Sequence, residues 1–282
     1  MEVRMKQRAG HVVAVSAMVA LLWTAAGCNG YNEVLKSTDS DYKLERAIGF
    51  IDSSQCYGAL MVLEDLMNLT RGTSQGREVQ FHHARAQNCL GDYYLARYYY
   101  KQFARTYPDD ARSEQAQFEA AMCSYRLSPD PSLDQSETRT AIEELQLFMD
   151  RYPGSPMRDS CQTLIGNLRN KLERKSFETA RLYHRTEQYK SATIALHQAL
   201  KDYPDSPYRE EMQWLIVDSH FQYAQQSTER RKLERYNEAI EAFLTFVARY
   251  PESRFMARAQ RIYDASVAEV ARLTEATPSE SL

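Results

Sequence analysis

Four tyrosine–proline steps set the register of this chain. Pro108, Pro153, Pro204 and Pro251 each follow a tyrosine, and each lies twelve residues after an alanine (Ala96, Ala141, Ala192, Ala239). Nine residues after each proline comes a glutamine: Gln117, Gln162, Gln213 and Gln260. One register shared at four places is an internal repeat, so the chain reads as an array of similar units. The unit reads as a helical hairpin. In its clearest copy, Ala192, Leu196 and Ala199 are spaced by four and three, which puts them on one helix face. The first helix stops at Tyr203-Pro204, because proline lacks an N–H and pushes the residue before it out of the helical region. Asp205-Ser206-Pro207 then offers capping oxygens and a proline suited to the first turn of the second helix.

In chain order, the first unit carries Ala59, Leu63 and Leu66, but Arg71 stands in the proline position, and Gly72 and Gly76 are expected to loosen the turn. Gln80 keeps the register. The second unit runs from Gly91 through Tyr107-Pro108 to Leu127, and the prolines of the insert Ser128–Gln135 forbid a continuous helix there. The third unit spans Thr138 to about Arg174, the fourth starts near Lys175, and the fifth spans Tyr236 to Arg272. The charged stretch Gln225–Arg235 reads as a helix extension or a solvated loop. Frame alanines are 37, 45, 51 and 47 residues apart, more than the 34 of a tetratricopeptide repeat, so longer helices and larger linkers are expected. The predicted fold is all-α, a solenoid of about five tetratricopeptide-like helical hairpins over residues 41–273, with a flexible tail at 274–282. Ten glycines and nine prolines in 282 residues favour helix throughout.

Residues 1–27 read as an export signal: Arg4, Lys6 and Arg8, an apolar run from Val12 to Trp23, then Thr24-Ala25-Ala26-Gly27. The run is too short to span a bilayer. Ala25-Ala26-Gly27-Cys28 is similar to the lipobox of bacterial lipoproteins, with alanine where leucine is usual, and makes Cys28 the candidate lipidation site. Acyl chains there would anchor the protein without spanning the membrane. Residues 28–40 are polar and read as a lipidated tether.

Chemistry has few candidates. No phosphate-binding loop, nucleophile elbow or zinc-protease motif occurs, and the acidic pairs Glu143-Glu144 and Glu210-Glu211 are adjacent on helices and point to different faces. An enzyme is not expected, nor is a cofactor. The net charge of −3 becomes −5 once residues 1–27 are removed, which argues against a nucleic-acid partner. Cys56, Cys89, Cys123 and Cys161 lack C-x-x-C spacing, which speaks against a metal or redox centre; an exported protein could oxidise them, but they read first as small buried packing residues. Adjacent His82 and His83 diverge by about 100° on a helix and chelate poorly. The aromatic cluster is the better candidate. Tyr93, Tyr94 and Tyr98 are candidate peptide-binding residues, able to hold an extended aromatic-rich segment, whereas Tyr100 falls in the frame and is expected to pack.

Taken together, Cys28, the elongated units, the insert Leu127-Ser128-Pro129-Asp130-Pro131-Ser132-Leu133-Asp134-Gln135, and Lys175–Tyr183 followed by Gln188–Ala192 resemble the outer-membrane assembly lipoproteins of the BamD (YfiO) family. The resemblance covers nearly all of the chain after Gly27; the first unit departs from it in lacking Tyr-Pro. It implies a periplasmic scaffold on the outer membrane that binds the POTRA domains of a BamA-type insertase and helps deliver unfolded outer-membrane β-barrel proteins. In that family the N-terminal repeats are associated with substrate and the C-terminal repeats with the insertase. The rival readings are another periplasmic repeat lipoprotein, coordinating cell-wall or envelope-division factors, and a solute- or glycan-binding lipoprotein or hydrolase.

Overall fold

The computed structural model describes residues 30–276; residues 1–29, which hold the expected export signal and the candidate lipidation site Cys28, and residues 277–282 lie outside the described residues. Among the described residues there are twelve helices and no strand. Two lead: α1 (Gly30–Leu35) and α2 (Ser40–Asp52). Five hairpins follow. They are α3 (Cys56–Leu69) with α4 (Ser74–Leu90), α5 (Tyr93–Thr106) with α6 (Ser113–Leu127), and α7 (Ser136–Arg151) with α8 (Arg158–Arg185). The last two are α9 (Tyr189–Asp202) with α10 (Arg209–Gln225), and α11 (Glu229–Arg249) with α12 (Met256–Ala276). The chain forms two compact units, one of residues up to 129 with 136–165, the other of 130–135 with residues from 166 on. In the first, α1 rests on α2 and α3, and α2 to α7 pack successively. In the second, α9 to α12 pack successively, joined by Phe177 and Ala180 of α8.

The frame is the core. Ala59, Ala96, Ala141, Ala192 and Ala239 are all fully buried, as are Leu63, Leu145 and Leu196 four residues on, and Tyr100 is buried at the same position. Small residues there let the next helix approach closely, and larger ones a turn later fill the space it leaves. The glutamine coincidence has no common environment: Gln213 is buried while Gln162 and Gln260 are exposed. The position before it is the structural one. Val79, Ala116, Cys161, Met212 and Ala259 are all buried against the frame helices.

The Tyr-Pro turn repeats in atomic detail. Tyr107, Tyr152, Tyr203 and Tyr250 end their helices by donating their N–H to the carbonyls of Phe103, Phe148, Ala199 and Phe246 at 2.9–3.0 Å. Where that residue is phenylalanine, the tyrosine ring folds back on it at 5.3–5.9 Å. Next, the Oγ of Ser155, Ser206 or Ser253 accepts from the amide two residues on at 3.0–3.2 Å, and Asp110 Oδ1 does the same for Arg112. The oxygens therefore close the turn rather than cap the helix. α10 starts at Arg209, after Pro207 and not on it.

Several expectations are corrected. Residues 30–35, placed in the tether, form α1 with Val34 buried. α12 runs to Ala276, three residues beyond the expected end of the array. No break occurs near Lys175, because α8 is one continuous helix across the expected boundary of the third and fourth units. Gly76 tightens the first turn instead of loosening it: an added Cβ would collide with the Thr70 carbonyl oxygen. Cys56 and Cys89, expected as packing thiols, are joined by a disulfide, whereas Cys123 and Cys161 are free and buried as expected.

A second register emerges at the entry to the frame helices. Ser54, Gly91 and Glu187, each five residues before a frame alanine, have φ of 61°, 80° and 60°. At each, the following amide reaches back to the carbonyl five residues earlier at 2.7–3.1 Å, closing the preceding helix. Only Gly91 adopts this left-handed geometry without cost.

Candidate interaction surfaces

Helix α5 carries the aromatic cluster. Asp92 starts it by accepting from the Leu95 amide at 3.0 Å. Because a helix advances 100° per residue, the three candidate tyrosines part company. Tyr94 and Tyr98, one turn apart, share an outward face and are 55% and 58% exposed. Tyr93 turns the other way, half-buried against the core, with Arg126 5.3 Å above its ring. Tyr94 lies over Arg97 at 5.3 Å, and Arg97 is fixed by Glu137 at 2.9 Å. Tyr98 meets Tyr99 edge-on at 5.2 Å, and Tyr99 meets the buried His83 at 4.4 Å. Tyr100 is buried, and burial raises its phenol above the ordinary range.

Grooves border this helix on more than one side. On one side, Tyr93, Tyr100, Arg85, Asn88, Glu119 and Arg126 line a polar space of about 460 Å3. Burial raises the Glu119 carboxyl against the opposing pull of Arg126, and Arg126 donates to Asn88 Oδ1 at 2.5 Å. On another side, between α5 and α7 across α6, lies a groove of about 440 Å3 floored by Ala104, Ala120 and Phe148. Its Glu144 is already engaged, accepting from Lys101 and from Ser124 at 2.6 Å. Arg105 and Arg151 also line it. An apolar floor beneath guanidinium groups suits an extended segment with apolar side chains and acceptors at its edge.

The sequence model of the YfiO family, described as outer membrane lipoprotein, matches residues 45–213 and 186–272. The chain belongs to this family. No curated protein matches it. Among solved structures, the TPR2AB-domain:pHSP90 complex of yeast Sti1 is similar at 15% identity, over 84% of this chain and 94% of that one, with a TM-score of 0.42. A thermophilic TPR protein of Thermus thermophilus is similar at 15% identity, over 82% and 100%, with a TM-score of 0.33.

The second unit of this YfiO-family chain repeats the groove with different chemistry. Between α9 and α11 across α10, a space of about 300 Å3 is lined by His197, Ile216, His220, Glu238, Glu241 and Thr245. His220 Nδ1 lies 3.2 Å from Glu238 Oε2; burial lowers both histidines, an effect Glu238 opposes at His220. The Ser-Pro insert also belongs to this unit from Asp130 on. Asp130 Oδ1 accepts from the Ser132 amide at 2.9 Å, the buried Gln135 donates to the Asp130 carbonyl at 2.7 Å, and Lys175 of α8 donates to the Ser132 carbonyl at 2.8 Å. The prolines thus shape an ordered loop. Among the described residues no group of three or more His, Cys, Asp or Glu is placed to hold a metal, and no helix is long and apolar enough to cross a membrane. Burial lowers His82 and His83 to about 4, in the former with help from Arg85 and Arg112.

Proposed function

We propose that this chain is a lipid-anchored scaffold of outer-membrane β-barrel assembly, held through acylated Cys28 on the periplasmic side of the outer membrane. It binds the POTRA domains of a BamA-type insertase and helps deliver unfolded β-barrel chains for folding and insertion. The observation that carries this is the YfiO family match over residues 45–272, in a family of outer-membrane lipoproteins. The surfaces support binding rather than catalysis: open grooves edged by arginine and tyrosine, on a framework whose frame residues are occupied in packing. Tyr94 and Tyr98 are the residues of the aromatic cluster free to meet an unfolded segment, and Tyr93 contributes to a separate groove.

The test is a crosslinked pull-down from membranes, with tagged wild type beside Cys28→Ala. Recovery of a BamA-type barrel protein, reduced in the variant, is expected. Recovery of cell-wall or division factors in its place would transfer the chain to the rival scaffold reading. For the tyrosines, the joint variant Tyr94→Ala/Tyr98→Ala should bind an unfolded barrel segment at least about tenfold more weakly, the loss of an exposed aromatic anchor. Unchanged binding would remove them from the site.

A further inference from the structure

Only Asn29 separates Cys28 from Gly30, the first residue of helix α1. At about 3.5 Å per residue, two steps reach no more than about 7 Å. Helix α1 is also seated firmly. Val34 is buried, Gly30 lies against the Phe50 ring, and Gly58 of α3 packs so closely that an added Cβ would stand 3.2 Å from Tyr31 Cβ. The Tyr31 ring meets Tyr57 edge-on at 6.0 Å and 87°. Tyr57 is 58% exposed, and Ser53, Ser54 and Gln55, between the Arg85-paired Asp52 and Cys56, are exposed and uncharged. We infer that the Tyr31–Tyr57 face lies on the phospholipid headgroup layer when Cys28 is acylated.

This rests on the anchoring proposed above. The headgroup layer is about 5–8 Å deep on each side of a bilayer, comparable to the reach of the link, so anchoring holds α1 against the membrane instead of letting it range freely. Tyrosine suits that layer because its ring is apolar and its hydroxyl stays hydrated.

The experiment uses the full mature protein, reconstituted into phosphatidylethanolamine/phosphatidylglycerol vesicles carrying lipids brominated near the headgroup. Its background is Trp214, the one tryptophan after the signal segment, which is buried. Tyr57→Trp should give an added emission that shifts to the blue on vesicles and is quenched by bromine. Leu69→Trp, at an exposed site about 18 Å further along α3, should be quenched less. Mass spectrometry of the N-terminal peptide and flotation of the vesicles report anchoring separately. If the peptide is acylated and the protein floats, yet the tryptophan at 57 is quenched no more than that at 69, the membrane face is overturned while anchoring stands. A blue shift that needs added insertase and occurs without quenching also overturns it, in favour of a protein partner. An N-terminal peptide without acyl chains overturns both.

Discussion

Replacing Cys56 and Cys89 by serine, singly and together, examines the disulfide between α3 and α4. The two cysteines are 33 residues apart in sequence, with Cα atoms 5.5 Å apart, and join the start of α3 to the end of α4. In the chain-entropy account, closing a loop of that length restricts the unfolded chain by about 3.7 kcal/mol at 25 °C. The periplasmic location proposed above would favour the bond. Urea unfolding followed by far-UV circular dichroism, without reductant, should therefore show Cys56→Ser, Cys89→Ser and the double variant each about 3–4 kcal/mol less stable than wild type. The equality matters as much as the size. A bond is lost once, so the second substitution adds almost nothing, and the thermodynamic cycle shows strong coupling. Reductant should bring wild type down to the variants and leave the double variant unmoved. Single losses that simply add, or a double loss below about 1 kcal/mol, would refute the reasoning.

Two further outcomes follow from the same framework. His82 and His83 titrate near 4 when folded because of burial, below the ordinary 6.5 of the unfolded chain. Stability should be complete above pH 6.5 and fall as pH drops toward 4, by about 1.4 kcal/mol per pH unit for each histidine; His83→Gln should reduce that slope by one proton in pH-dependent urea titrations. Glu187 holds φ at 60°, a conformation costing a non-glycine residue about 1–2 kcal/mol. Set against glycine's added chain entropy, Glu187→Gly should raise stability by about 0.5–1 kcal/mol in thermal unfolding, and a loss would show that the side chain has a role the backbone does not reveal.

The fold was legible because its signal is redundant. A frame alanine, a large residue four later and a Tyr-Pro stop each bear directly on backbone or packing, and the copies corroborate one another. The glutamine coincidence misled because repetition of a letter does not imply a common environment; burial belongs to the neighbouring Val79, Ala116, Cys161, Met212 and Ala259. The left-handed entry was hidden by side chains, since serine and glutamate stand where glycine would have announced it. Continuity of α8 was illegible because nothing between Arg174 and Lys175 breaks a helix, and the repeat alone suggested a boundary. The Cys56–Cys89 bond joins residues 33 apart in sequence, which no local pattern brings together. At the candidate site, the cluster on α5 was visible but its division was not: three tyrosines within six residues look like one patch until the 100° step turns Tyr93 into a groove and leaves Tyr94 and Tyr98 on an exposed face.

The Tyr-Pro-x-Ser turn has a consequence for how such a chain changes over time. Its backbone amides and carbonyls and its serine oxygen answer one another within about seven residues, so the backbone of the corner closes on itself; ties to a neighbouring hairpin, such as Ser253 Oγ donating to Glu210 Oε1 at 2.6 Å, are made by side chains alone. Length can then be added or removed between hairpins at little cost, since extending a linker adds only slowly to its closure entropy. The uneven intervals of 37, 45, 51 and 47 residues between frame alanines are what such tolerance would leave behind. The Ser-Pro loop and the long α8 lie in those intervals, where new surface can be acquired without disturbing a single corner.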